Sequence, residues 1–206
     1  HCDAVQATGK LDMSKIQADF ISLSAHKFGG PRGIGALIAR GDTALKPLVR
    51  GGGQELGKRA GTENVPAIAG FGAAVSSILD GSVGLKEARQ LMTDLEQLLA
   101  EKSPKSLIIA ANVPRVGTTA TIALPGVKAE TQVMALDLDG VLVSAGSACS
   151  SGKLAASHVL TAMGLEPGVS DCAIRVSLGW ASTGEDVEAF IEAYMKMVNR
   201  TNGAGA

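Results

Sequence analysis

The chain has 206 residues, of which 46% are hydrophobic, and a formal net charge of −1 at pH 7. This composition is typical of a globular chain with a sizeable core, and the absence of a basic run excludes the electrostatic footprint of a nucleic-acid-binding protein. No apolar stretch reaches the roughly 18 residues that a membrane span requires, and no leader-like series opens the chain, so we expect a cytoplasmic protein without a membrane segment.

The cysteines and histidines indicate neither a disulfide framework nor a metal site. Cys2, Cys149 and Cys172 are an odd number at wide spacing, and the histidines fall at no zinc-like interval. Cys2 and Cys172 border apolar runs, which predicts buried, inert thiols. The chain begins at His1, without methionine and inside a strand-like run, so we expect it to be a piece of a longer protein.

The beginning of the chain has the pattern of strands joined by short connections. Residues 1–6 predict the end of a strand, and the apolar run at 20–23 predicts a second one. Between them, residues 11–18 predict a connector with a brief helical turn. Residues 33–40 are almost continuously apolar, which predicts a third and mostly buried strand. Strands that alternate with short connections in this way favour an α/β sheet.

Polar side chains follow two of these predicted strands. Asp3 and Gln6 lie at the exit of the first, and the second ends in the sequence Ser-Ala-His-Lys at 24–27, followed by glycines. Open α/β sheets bind ligands at the carboxyl ends of their strands, so Lys27 is a candidate amine for holding a carbonyl or a phosphate. The alternative is a solvated surface lysine, which is the usual environment of this residue type.

A glycine-rich segment at 51–59 approaches the phosphate-binding pattern G-x-x-x-x-G-K-[ST]. Arg59 stands where that pattern requires a hydroxyl residue, and Pro47 makes the preceding segment a poor central strand. These departures argue against a nucleotide site. A mobile loop whose backbone approaches an anion is the favoured interpretation.

Two helices are predicted next, and a domain boundary lies between them. Thr62 is a candidate N-cap for a helix with apolar residues at 65–76, and a second helix is predicted at 85–102. We place the boundary near 81–84, so that residues 1–82 form one domain and residues 83–206 form a small α+β domain.

The second domain is predicted to mix strands with helices. Strands are expected at 107–110, 119–124, 141–144 and 173–178, helices at 130–138, 157–163 and 185–199, and a frayed tail at 201–206. The loop at 144–152 is made of small residues around Cys149, which is either incidental to a flexible linker or a reactive thiol. Arg175 lies inside a predicted strand, either solvated on an outer face or facing a cleft where its guanidinium suits a carboxylate.

Four segments together resemble the cysteine desulfurases. They are Asp-Ala-Val-Gln at 3–6, Ser-Ala-His-Lys at 24–27, the glycine-rich segment at 51–64 with Arg-Ala-Gly-Thr-Glu-Asn, and Ser-Ala-Cys-Ser-Ser-Gly at 147–152, in the order that the family has. The resemblance implies an α/β chain of the aspartate-aminotransferase-like fold, fold type I of pyridoxal-phosphate enzymes. It covers only the C-terminal half of that fold: the end of the large mixed-sheet domain and the small α+β domain.

The resemblance also implies roles for individual residues. Lys27 would form the Schiff base with pyridoxal 5′-phosphate, and Cys149 would accept sulfur. Arg175 would bind the substrate carboxylate. The implied cofactor contacts are Asp3 to the pyridine nitrogen, Gln6 to the ring hydroxyl, Ser24 and His26 to the phosphate, and Thr62 to the phosphate of the other subunit.

The implied activity is the conversion of L-cysteine to L-alanine, with the sulfur carried as a persulfide on Cys149 for iron–sulfur cluster assembly or other sulfur trafficking. A homodimer and a sulfur-acceptor or scaffold protein are the implied partners. The alternatives are another enzyme of the same fold, such as a selenocysteine lyase or a transaminase, and an inactive fragment that serves only in dimerisation or sulfur carriage. Because half of the fold lies outside this chain, we expect the chain alone to be inactive.

Overall fold

The computed structural model describes residues 1–41, 43–81, 85–146 and 157–203. The chain divides into two compact units, His1–Gly84 and Leu85–Ala206. Each is described by itself. The assignment of residues 1–82 to a large cofactor-binding domain stays a proposal.

The first unit contains a three-stranded mixed sheet in the order β1-β2-β3. Its strands are β1 (Cys2–Asp3), β2 (Phe20–Ser24) and β3 (Gly35–Ala39). β1 and β2 are parallel, with Asp3 opposite Ser22, and β3 is antiparallel to β2. The connector between β1 and β2 contains a short helical turn, as the sequence predicts, and Asp12 caps this turn.

Two burial predictions for this sheet are wrong. β3 was expected to be mostly buried, but Leu37 and Ile38 are 49% and 48% exposed, because β3 pairs only with β2 in the described part of the chain. Cys2 is partly exposed rather than buried, since β1 is the opposite edge strand; Cys172 is buried as predicted.

The helix of the first unit, α1 (Val65–Leu79), begins later than Thr62 would place it. Its N-cap is Asn64, whose side-chain oxygen accepts a hydrogen bond from the Ala67 N–H at 3.2 Å. The prediction that Thr62 caps this helix is therefore wrong. Pro66 in the first turn fits this start, because a helix leaves that N–H unpaired anyway.

The glycine-rich segment does not have the geometry of a nucleotide-binding loop. No strand precedes it among residues 46–50, and Gln54–Gly57 form a short helical turn in which Glu55 and Leu56 have positive φ. The Gly61 N–H donates to Gln54 Oε1 at 3.2 Å, which ties the end of the loop to its middle. This geometry differs from the strand–loop–helix arrangement that a nucleotide-binding loop requires.

The second unit contains a four-stranded antiparallel sheet in the order β4-β5-β7-β6. The strands are β4 (Leu107–Ile108), β5 (Thr119–Ala123), β6 (Ser144–Ala145) and β7 (Ala173–Ser177). The helices are α2 (Lys86–Lys102), α3 (Ala129–Leu138), α4 (His158–Ala162), α5 (Pro167–Ser170) and α6 (Gly184–Gly203). α2 and α6 carry the apolar stripe that forms the core with β5 and β7, including the fully buried residues Leu95, Leu99, Ile122, Ile174 and Tyr194.

Each predicted strand and helix of this unit has a counterpart in the structure, with four differences. β4 is shorter than the predicted strand at 107–110, β6 begins at the last residue of the strand predicted at 141–144, and the short helix α5 was not predicted. α6 continues to Gly203, past residue 201, where the frayed tail was predicted to begin. Short elements were missed because one turn of helix carries too few residues for an apolar period to be visible.

Within the described ranges, no helix is both long and apolar enough to cross a membrane. The same ranges contain no group of His, Cys, Asp and Glu side chains that could hold a metal ion.

Candidate active site

The carboxyl ends of β1 and β2 bring the predicted polar residues of the first unit to one edge of the sheet. β1 ends at Asp3, beside Ser22 of β2, and β2 continues to Ser24. A helical turn, Ala25–Lys27, follows at once, so that His26 and Lys27 leave the sheet at this edge. Because parallel neighbouring strands end on the same side, the two exits are adjacent.

The turn after β2 depends on close approaches that only glycine allows. Gly30 donates its N–H to Ala25 O at 2.9 Å, and a Cβ at Gly30 would lie 2.8 Å from Ala25 Cβ. A Cβ at Gly35 would lie 2.5 Å from Leu23 O. Ala25 itself is fully buried beneath the turn. The glycines after Lys27 therefore allow the chain to fold straight back along β2 and hold the turn in place.

The side chains at this edge are accessible and already partly oriented. Ser24 Oγ lies 2.9 Å from His26 Nδ1, and the Val5 N–H donates to Asp3 Oδ1 at 3.1 Å. Asp3, His26 and Lys27 are exposed. A carboxylate, a hydroxyl, an imidazole and a primary amine therefore follow the ends of two neighbouring parallel strands.

Gln6 contacts a residue to which the sequence analysis assigned no role. Lys10 Nζ donates to Gln6 Oε1 at 2.7 Å. Burial lowers the pKa of Lys10, and the charge of Lys27 lowers it further. The i, i+4 spacing of Gln6 and Lys10 is the signal that could have identified the pair, but that spacing is informative only inside a helix-like turn.

Thr62 lies in the first unit, between the glycine-rich loop and α1, and is exposed. No hydrogen bond or ion pair joins Thr62 to Ser24 or His26 in the part of the chain that the structure describes. The structure therefore does not bring Thr62 together with the other predicted cofactor residues of this subunit.

Arg175 lies on the central strand β7 of the second unit. Thr121 of β5 and Ser144 of β6 are its cross-strand neighbours, and Arg175 is half-buried. It lines a cavity of about 490 Å³ together with Thr121, Lys128 and Asp171. Of the two predicted environments, the structure favours the cleft. Cys149 lies outside the described residues.

The amino-acid sequence matches the aminotransferase class-V family over residues 1–190. It is 40% identical to a cysteine desulfurase of Cereibacter sphaeroides over 97% of this chain and 52% of that protein. It is 37% identical to a cysteine desulfurase IscS of Methanosarcina thermophila over 97% of this chain and 50% of that protein. The chain thus spans about half the length of these relatives.

Solved structures are similar over the same extent. A NifS-like protein from Rickettsia africae superposes with a TM-score of 0.82 at 36% identity, covering 96% of this chain and 52% of that one. SspA in complex with cysteine superposes with a TM-score of 0.67 at 34% identity, covering 88% of this chain and 50% of that one. The chain therefore belongs to the aminotransferase class-V family of pyridoxal 5′-phosphate enzymes and has part of their fold type I architecture.

Proposed function

We propose that this chain is the C-terminal half of a cysteine desulfurase, which converts L-cysteine to L-alanine and passes the sulfur to an acceptor. The observation that carries the proposal is the cluster of Asp3, Ser24, His26 and Lys27 at one edge of the first sheet. Relatives at 37–41% identity are named as cysteine desulfurases, and a solved relative is described in complex with cysteine. These names favour sulfur chemistry over transamination or a selenocysteine lyase.

The groups at the sheet edge fit pyridoxal 5′-phosphate by their chemistry. The exposed carboxylate of Asp3 suits a protonated pyridine nitrogen, and Ser24 with His26 can donate to phosphate oxygens. Lys27 supplies the primary amine that binds the cofactor's carbonyl group. The hydrogen bond between Ser24 and His26 and the glycine-dependent turn orient these two side chains before any ligand binds.

When bound, the cofactor supplies an electron sink for the charge that develops at the substrate Cα. Lys27 would hold the carbonyl group of the cofactor, and its free amine would serve as the base for the substrate Cα proton and later as the acid that returns a proton. Asp3 would keep the ring nitrogen protonated. Arg175 binds the substrate carboxylate through its planar guanidinium, and the cavity around it supplies the room for a small amino acid.

Cys149 is the proposed sulfur acceptor. Its thiolate attacks the substrate sulfur, so that an S–S bond forms, the C–S bond of the substrate breaks, and the electron pair of that bond stays on the substrate carbon, which is protonated on the way to alanine. The persulfide then passes to an acceptor or iron–sulfur scaffold protein. We further propose a cytoplasmic homodimer in which Thr62 contacts the phosphate of the partner subunit's cofactor.

The cofactor assignment is tested by the absorption spectrum of the complete protein. Bound pyridoxal phosphate should give a visible band near 390–420 nm, roughly where its lysine adduct absorbs, and Lys27→Ala should abolish that band. Lys15→Ala is a matched control, since Lys15 has an 82% exposed side chain that pairs with Asp12. An unchanged band in Lys27→Ala would contradict the assignment.

The sulfur-transfer step has a separate test. Cys149→Ala should retain the cofactor band but lose alanine formation and sulfide release from L-cysteine by about 10²-fold or more, since the nucleophile is absent. Cys172→Ala should keep the activity, because Cys172 is a buried thiol of the second unit. Sulfide release at the full rate by Cys149→Ala would contradict the proposed mechanism.

A further inference from the structure

Lys10 lies in a tight turn that directly follows β1. The Ala7 N–H donates to Ala4 O at 3.0 Å, and the Lys10 N–H donates to Ala7 O at 2.9 Å. Gly9 has φ +73°, and a Cβ there would lie 2.9 Å from Ile78 Cδ1 of α1. These contacts hold the backbone at Lys10 in one conformation and limit where its side chain can reach.

The contact between Lys10 and Gln6 selects one orientation of the amide. An ammonium group has donors and no acceptor, so only the oxygen of the Gln6 carboxamide can face Lys10 Nζ, at 2.7 Å. The NH₂ group of Gln6 then points away from Lys10 and remains available as a donor. Without the lysine, the terminal amide torsion has two broad, nearly equivalent orientations.

The same lysine interacts electrostatically with the proposed attachment point of the cofactor. Lys10 is half-buried, and the charge of Lys27 adds to the effect of burial in lowering the Lys10 pKa. Lys15, on the same connector between β1 and β2, is instead exposed and paired with Asp12 at 3.6 Å. Lys10, unlike Lys15, therefore contacts a residue of the proposed cofactor site.

We propose that Lys10 is a positioning residue of the cofactor site, which holds the Gln6 carboxamide so that its NH₂ group donates to the ring oxygen of pyridoxal phosphate. This inference rests on the proposed function and on the contact between Gln6 and the ring hydroxyl that the resemblance to the cysteine desulfurases implies. A donor that faces the ring oxygen favours the deprotonated, anionic oxygen. Loss of Lys10 therefore weakens the preference for the anionic ring oxygen, and the bound cofactor loses its proton at a higher pH.

The test is a pH titration of the visible band of the complete, cofactor-loaded protein. In Lys10→Met, the midpoint of the absorbance change should rise by about half a pH unit to one unit. Lys10→Arg, which keeps a cation with donors, should restore a midpoint close to that of the unsubstituted protein. Lys15→Met is the matched control and should leave the midpoint unchanged.

A double-variant comparison separates positioning from a general effect on folding. Gln6→Met should raise the midpoint by a similar amount, and adding Lys10→Met to Gln6→Met should change it little further. A Lys10→Met midpoint equal to that of Lys15→Met, or a full additional shift on the Gln6→Met background, would overturn this inference alone. A protein without any Lys27-dependent band would overturn both this inference and the proposed function.

Discussion

Gly35 lies opposite Ser24 in the β2–β3 pair and has no room for a side chain. An added Cβ would lie 2.5 Å from the backbone oxygen of Leu23, so either the strand pairing or the end of β2 must shift. The exit of β2 carries Lys27, which makes Gly35 a structural support of the candidate active site.

Gly35→Ala is expected to lower the free energy of unfolding by about 1–3 kcal/mol through overpacking and to weaken cofactor binding. Thermal melting and the visible band of the complete protein measure the two effects. Gly72→Ala is the matched control: Gly72 lies in α1 with no neighbour within 4 Å of an added Cβ, so alanine should be neutral or stabilising there. Equal melting temperatures for the two variants would contradict the prediction.

Tyr194 is the single tyrosine of the chain and is fully buried on α6. Burial raises its pKa, while the hydrogen bond between its hydroxyl and Ser106 Oγ, at 2.9 Å, opposes that rise. The folded state therefore favours the neutral phenol, and the associated stability is complete below the ordinary pKa of 10.0 and lost as the pH rises through the higher folded-state value.

We expect the free energy of unfolding to fall above about pH 10. In Tyr194→Phe this fall should be smaller, because the substituted residue cannot ionise. The same substitution should cost about 1 kcal/mol at neutral pH because the hydrogen bond between the Tyr194 and Ser106 hydroxyls is lost. Tyrosinate absorbance reports this one residue, and urea unfolding at neutral and alkaline pH gives the stability. Ionisation of the folded protein at the ordinary pKa would contradict the argument.

At the scale of elements, α1 illustrates how a helix start is selected. Asn64 lies two positions after Thr62, the predicted cap, and its backbone has the geometry that lets its side chain accept the Ala67 N–H. The residue after Asn64 is Val65, followed by Pro66, whose fixed φ suits the first helical turn.

Asn64→Ala should therefore destabilise the protein by about 1 kcal/mol, the usual cost of removing an N-cap. Thr62→Ala, measured in the absence of cofactor, should leave the melting temperature within a degree or so of the original, because an exposed loop residue without a capping bond contributes little. A lower melting temperature for Thr62→Ala than for Asn64→Ala would contradict this prediction and indicate that Thr62 is the cap.

At the scale of the whole molecule, the two units differ in what they bury. Among the described residues of the first unit, the buried hydrophobic side chains are those of Ala4, Ala25, Ala60 and Ala67. The second unit buries large side chains from α2, β5, β7, α3 and α6 in one continuous cluster. Apolar area removed from water is the main favourable term in folding, so the second unit contains most of the stabilising core.

We expect residues 85–206, expressed alone, to fold with a cooperative thermal transition, and residues 1–84 alone to show none. Circular dichroism melting of the two pieces makes the comparison. A bidentate pair between Arg115 and Glu96, at 2.7 and 2.8 Å, further ties α2 to the segment before β5 in the second unit. A cooperative transition for residues 1–84 alone would contradict this prediction.

The sequence predicted most elements of both units, because the spacing of apolar residues and the positions of residues that end helices and strands are local properties of the chain. The apolar stripe at 85–102 and the runs at 119–124 and 173–178 correspond to α2, β5 and β7. The exposure of β3 could not be predicted in the same way, because a continuous apolar strand is equally consistent with a central and an edge position until its neighbours are known.

The sequence by itself determined the order of the elements and the chemical groups available at the candidate site, since both follow from residue type and spacing. Only the tertiary structure decided which groups meet. It showed that parallel pairing places the exits of β1 and β2 together, and that Lys10 faces Gln6 close to Lys27. Such contacts depend on strand order and turn geometry, which are set by packing between distant segments.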